Sequence, residues 1–246
     1  MNILVCISNT PETTAKIAFK DDNTQFDSAG VQYIMNPYDE WYALVKGLEL
    51  KEQLGGTVTA IHVGLAENDT IIRKALAIGA DNAVRVNKEA SNALDVATQI
   101  ADYVRSNTFD LILTGKETIN YNGSQMGAML SELLDLHFVS YASHMEVEGD
   151  KAVVTRDIEG GTETIKLSLP IVVSGAKGLA EQRIPNMRGI MMAKRKPLDI
   201  IEGMETTPLS TISTYTLPPQ RTSCTYVDPE DMDKLVALLH EEAKVI

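Results

Sequence analysis

Residues 154–197 read VTRDIEGGTETIKLSLPIVVSGAKGLAEQRIPNMRGIMMAKRKP, and three kinds of backbone follow one another in them. Val154, Arg156 and Ile158 alternate up to Glu159-Gly160-Gly161, and Ile165, Leu167 and Leu169 lie two apart before Pro170. Glycines where the chain must reverse, flanked by apolar side chains at every second position, make a β-hairpin. Ile171, Val172 and Val173 form an unbroken apolar run, the mark of a strand covered on both faces. Residues 174–196 then keep no clean period and hold three glycines, one proline, three methionines and six Lys/Arg side chains. Methionine mixed with positive charge makes a poor core element and a suitable docking loop.

Upstream of this stretch, short apolar strands alternate with helices. Residues 3–7 read as a buried strand, with further strands expected over 57–63, 83–86 and 109–114. Helices are expected over 67–78, 94–105 and 123–134. Another begins at Asn36, which can cap it, with Pro37 at the first helical position and Asp39 and Glu40 at its positive end. Gly55-Gly56 ends it. The alternation predicts a doubly wound α/β fold with a mostly parallel sheet. Right-handed crossovers put every strand-to-helix loop on one edge of such a sheet, where nucleotides bind. Residues 6–13, 36–39, 63–64 and 115–126 occupy that edge and are expected to meet in one crevice.

After Phe138 the rhythm turns to strands, over 138–148, 151–158 and 163–174, as an added antiparallel edge or a small second sheet. The expected division is an α/β domain over 1–197, which includes the docking loop 175–197, and an extended C-terminal arm over 198–246. The arm carries Pro208, Pro218 and Pro219 and ends in a helix begun by Asp228-Pro229-Glu230. Met232, Leu235, Leu238 and Leu239 mark one face of that helix, which needs a covering surface in this subunit or a partner.

A formal net charge of −12 argues against nucleic acid as a partner, because phosphate backbones demand a positive surface. Cys6 and Cys224 have neither CxxC nor metal-type spacing, and no apolar run approaches the ~18 residues of a membrane span. The N-terminus has no basic region or cleavage site, so the expected setting is reducing and cytoplasmic, with a mitochondrial matrix origin also open.

No nucleophilic triad is visible. His62, His137, His144 and His240 stand singly and read as core or surface residues, and no carboxylate spacing suggests a metal. There is no Walker sequence, and no GxGxxG follows the first strand. The best ligand candidate is Gly115-Lys116-Glu117-Thr118-Ile119-Asn120-Tyr121-Asn122-Gly123-Ser124-Gln125-Met126-Gly127. It is polar, follows a buried strand and opens a helix, so its backbone N–H groups can face a phosphate.

Arg156, Glu159-Gly160-Gly161, Glu163, Ile165 and Leu169-Pro170, followed by Arg183, Pro185, Arg188-Gly189-Ile190-Met191 and Ala193-Lys194, resemble the signature of electron transfer flavoprotein beta subunits. The resemblance covers nearly the whole chain. It implies an adenine nucleotide alpha hydrolase-like sheet and a heterodimer in which FAD is held mainly by the alpha subunit. It also implies AMP in a pocket lined by Cys6, Asn36, Pro37, Tyr38, Asp39, Val63 and the loop from Gly115 to Met126. Gly115, Lys116, Ile119, Gln125 and Gly127 agree with the family. Asn120, Tyr121 and Asn122 stand where aspartates are common, and Ser124 and Met126 replace an asparagine and a threonine. Tyr38 matches an aromatic that approaches the flavin, and Met187 takes the place of the leucine that anchors dehydrogenases. The resemblance thus implies a carrier of electrons from dehydrogenases, such as those of acyl-CoA compounds, to a quinone reductase or another acceptor. Two other readings use the same sheet: a bifurcating relative with a second FAD in the AMP pocket, and a stand-alone, stress-protein-like nucleotide-binding domain.

Overall fold

The computed structural model describes residues 1–220 and 223–246. In chain order the strands are β1 (Asn2–Cys6), β2 (Asn9–Pro11), β3 (Phe19–Lys20), β4 (Gln25–Phe26) and β5 (Tyr33–Met35). Then α1 (Asp39–Leu54), β6 (Thr57–Val63), α2 (Asp69–Ile78), β7 (Asn82–Asn87), α3 (Ala93–Arg105), β8 (Leu111–Gly115) and α4 (Met126–Leu134) alternate. After them come β9 (His137–Glu148), β10 (Lys151–Ile158), β11 (Gly161–Ser168), β12 (Ile171–Gly175), α5 (Met187–Ala193), β13 (Leu198–Glu202) and α6 (Met232–Ala237).

Among the described residues one sheet has nine strands, in the order β11-β10-β9-β12-β8-β1-β6-β7-β13. From β9 to β13 every neighbour is parallel, whereas β10 runs antiparallel to both β9 and β11. This is the expected doubly wound sheet, and its hairpin section extends one edge instead of forming a second sheet. Side chains of β1 alternate between two cores. Ile3 and Val5 join the helices α1 and α2 on one face, and Leu4 and Cys6 join α3 and α4 on the other. Both faces being covered explains why β12 is buried at all five positions and reads as an unpunctuated apolar run.

Four local expectations need correction. Residues 163–174 are two strands, not one: β11 stays on the antiparallel edge, and after Pro170 the chain returns as β12 between β9 and β8. The helix expected from Asn36 begins at Asp39, because Tyr38 takes φ 78° and leaves the helical path. α4 starts at Met126 instead of Gly123, since Asn122 and Ser124 adopt φ of 47° and 50°. Within the aperiodic 174–196 stretch a short helix forms at α5, where Asn186 Oδ1 accepts the Gly189 N–H at 2.8 Å.

The chain divides into two compact units. Leu198–Glu202 adds to the sheet beside β7, and the first compact unit comprises residues 1–18 and 27–212. The second comprises residues 19–26 and 213–246. Inside it the Phe19 ring stacks on Tyr215 at 4.8 Å, and Asp231 Oδ1 caps α6 by accepting the Lys234 N–H. Arg221 and Thr222, which the expected arm includes, lie outside the described residues. Among the described residues no helix is long and apolar enough to cross a membrane.

Candidate functional site

β8 lies beside β1 on one flank and β6 lies beside it on the other, so the chain changes winding direction at β1. Loops leaving the carboxyl ends of these strands part there and open a crevice. The crevice is a cleft of about 980 Å³, at the upper end of the 300–1,000 Å³ usual for small-molecule sites. Of the residues expected at the site, Cys6, Val63, Gly115, Lys116, Glu117, Thr118, Asn120, Tyr121, Gly123, Ser124, Gln125 and Met126 line it.

The loop at 36–39 faces elsewhere. Asn36, Tyr38, Asp39, Ile119 and Asn122 line a separate cavity of about 220 Å³, which shares only Lys116 and Glu117 with the cleft. Pro37 lines neither. Four loops therefore serve two cavities, with the 116–119 backbone as the partition. Asn36 holds that partition: its Nδ2 donates to Glu117 O at 3.0 Å, and its Oδ1 accepts the Ile119 N–H at 3.1 Å. Capping a helix and clamping this loop are alternative uses of the same amide, and the loop has it.

Glu40 lies beneath the partition, 6% exposed. Burial pushes its carboxyl up to about 8, with Asp39 adding repulsion, against the Ser8 N–H and Oγ–H, which both donate to it at 2.6 Å. Burial first, and then Glu40, raise the Cys6 thiol as well. Cys6 is therefore an uncharged wall of the cleft and not a nucleophile.

The cleft offers an anion backbone N–H groups and little positive charge. α4 points its N-terminus at it without a side-chain cap, which leaves backbone N–H groups for a phosphate. Thr114, 2% exposed on the same wall, has a buried Oγ1 with no partner among the described residues. Lys116 is the cation on the wall among the described residues, and Glu117 holds it at 2.9 Å. Glu67 and Glu89 line the same cleft, so an incoming anion depends on backbone dipoles.

Ser8 and Asn9, inside the loop expected at 6–13, also line the cleft, as do Glu40, His62, Asn68 and residues 210–212, which were not expected there. His62 stands just before the loop expected at 63–64, at the end of β6, so loop position was the available signal. Residues 210–212 had none, because their place depends on polar bonds to α3.

Comparison with known proteins shows the family. The electron transfer flavoprotein domain family matches residues 23–203. The electron transfer flavoprotein subunit beta of Bacillus subtilis (strain 168) is 37% identical over 261 aligned residues, covering 100% of both chains. That of Homo sapiens is 34% identical, covering 100% of this chain and 99% of the human one. The Syntrophomonas wolfei subunit is 32% identical over 94% of this chain and 91% of its own. A match this long, on a nucleotide-type α/β sheet with its cleft at the winding reversal, has one consequence: the chain belongs to the electron transfer flavoprotein family, as a beta subunit that serves electron carriage and not substrate conversion.

Proposed function

We propose that this subunit binds AMP in the larger cleft, shields an FAD held mainly by an alpha subunit, and docks primary dehydrogenases through Met187. The observation that carries the nucleotide reading is the cleft itself, with an uncapped helix terminus at one wall and Lys116, paired to Glu117, as its lining cation among the described residues. FAD supplies the redox chemistry, and this chain supplies position and surroundings. Tyr38 is 52% exposed at φ 78°, beside the smaller cavity with Lys116 and Lys177, and is the aromatic available to the flavin. A conformation so costly for a bulky residue is retained where the ring has work to do. Met232 and Leu235 of α6 are exposed and offer the alpha subunit an apolar surface. Acyl-CoA dehydrogenases as donors, a quinone reductase as one acceptor, and the cytoplasm as the compartment complete the reading.

Release and quantitation of nucleotide from the purified complex tests it. One FAD and one AMP per complex is the expected result. Two FAD would establish the bifurcating reading, and a flavin-free homomer that binds ATP would establish the stress-protein-like one.

The docking role makes its own prediction. α5 is moored at its far end, where Arg73 donates to Ala193 O at 2.8 Å and to Lys196 O at 2.7 Å. Met187 lies at the free end, 74% exposed, near Ile184 at 87%. An exposed methionine on an anchored helix can fill pockets of different shape. Met187→Ala should lower dehydrogenase-coupled reduction by about 30-fold, as loss of an interface anchor does, with FAD content unchanged. Coupling rates equal to wild type would remove Met187 from the interface.

A further inference from the structure

Tyr141 is a bulky residue held at φ 59°, in left-handed backbone that glycine alone adopts freely. A bulge puts it there. Val139 pairs with Val173 and Ala142 with Gly175, so β9 takes three steps where β12 takes two. An extra residue of this kind bends its strand and re-aims a side chain. The Tyr141 N–H turns from the ladder to a side chain and donates to Ser174 Oγ at 3.1 Å. Gly175 is level with Gly115 in the sheet, so the bulge lies at the height where the loop after β8 begins. Burial does not offset the cost of the backbone, because the residue is 44% exposed.

The re-aimed side chain meets that loop at its neck. Lys116 Nζ lies 5.6 Å from the centre of the Tyr141 ring, within reach of a cation–π contact. The Tyr141 hydroxyl donates to Ser124 Oγ at 3.4 Å. Ser124 Oγ in turn donates to Glu117 Oε2 at 3.2 Å, and Glu117 Oε1 is 2.9 Å from Lys116 Nζ. The four side chains form a closed circuit that ties residues 116 and 117, where the loop leaves β8, to residue 124, where it turns into α4. Lys116, Glu117 and Ser124 line the larger cleft. Tyr141 is the member outside the loop, and it lines neither cavity.

We propose that Tyr141 is a positioning residue of the larger cleft, a prop on β9 that holds the neck of the 116–124 loop through Lys116 and Ser124 in the shape that receives a nucleotide. The proposal rests on the reading of the cleft as an AMP site. Left-handed strain separates this role from plain packing. A residue that served folding alone would lower the melting temperature when replaced by glycine, whereas a strained prop would not.

The test combines thermal melting with calorimetric titration of AMP into the nucleotide-stripped complex of this chain with its alpha subunit. Tyr141→Gly removes the ring and the strain together. Its thermal midpoint should equal that of wild type or exceed it by up to about 3 °C. AMP should bind it about tenfold more weakly, since the loop must then be ordered on binding. Tyr141→Phe keeps the ring over Lys116 and loses one long hydrogen bond, so it should bind AMP within about threefold of wild type. Three results overturn the proposal and leave the cleft an AMP site: a Tyr141→Gly complex that melts below wild type, one that binds AMP as tightly as wild type, or a Tyr141→Phe complex as weak as Tyr141→Gly. A wild-type complex that takes up no AMP removes the AMP reading and this proposal with it.

Discussion

Gly115→Ala should destabilise the chain by about 3 kcal/mol and abolish nucleotide retention in the complex. The cause is space and not backbone strain. A methyl group at residue 115 would lie 2.6 Å from Glu40 Cγ, 2.9 Å from the Glu40 backbone nitrogen and 3.2 Å from Asp39 Cβ. Glu40 cannot swing aside, because both its carboxylate oxygens are held by Ser8, and the nitrogen belongs to the first turn of α1. The end of β8 must then move away from α1, and the loop that follows it moves off the cleft. Gly123 supplies the control within the same loop. The atoms nearest a Cβ there are on Gln125 at 4.0 Å, so Gly123→Ala should leave the melting temperature close to wild type. Equal thermal midpoints for the two variants would show that the contact between β8 and α1 is not tight.

Asp95→Ala should cost a similar amount, about 3 kcal/mol, and lower the thermal midpoint by about 10 °C. Asp95 is 5% exposed at the start of α3. Lys88 Nζ at 2.9 Å, the Thr206 hydroxyl at 2.7 Å and Gln99 Nε2 at 3.0 Å all donate to its Oδ1, and the Ser91 N–H donates to Oδ2. Lys88 and Gln99 also hold Met204 O, and Asn92 Nδ2 holds Ser210 O. Removing the carboxylate strands the Lys88 charge and frees residues 204–212, the last of which line the cleft. Burial works against the charge, but the bonds from Thr206 and Lys88 outweigh it and hold the carboxyl well below the ordinary 3.8. The folded state therefore binds fewer protons than the unfolded chain near that value, so stability from Asp95 is complete at neutral pH. It drains as pH falls below about 4, through the lower folded value. The stability gap between wild type and Asp95→Ala should be constant from pH 7 to pH 5 and close in stronger acid. A gap that widens in acid would contradict this assignment of the charge.

The stretch at 154–197 shows how far local pattern reaches. Its glycines at 160 and 161, its period of two and its apolar run at 171–173 specify hairpin and buried strand, because each depends on neighbours a few residues away. The same local signals cannot say that the strand after Pro170 enters the middle of the sheet while the hairpin stays at its edge. α5 was illegible for a related reason. Seven residues supply too few turns to show a period, and the helix is moored by Arg73, more than a hundred residues earlier.

The cleft divides in the same way. Its loop at 115–126 was readable, since a polar run between an apolar strand and an amphipathic helix announces itself within a dozen residues. Asn36 looked like a helix cap because a cap needs only its own next turn. In the folded chain a partner 81 residues away claims the amide instead.

Order along the chain, alternation of apolar and polar side chains, and the signature around Arg156 to Lys194 were enough to determine the doubly wound class and the family. Those are one-dimensional properties, written in spacing. Which loops share a cavity and which carboxyl burial pushes upward were decided only by tertiary structure. Each depends on distances of about 3 Å between residues far apart in sequence, and spacing along a chain carries no information on those distances.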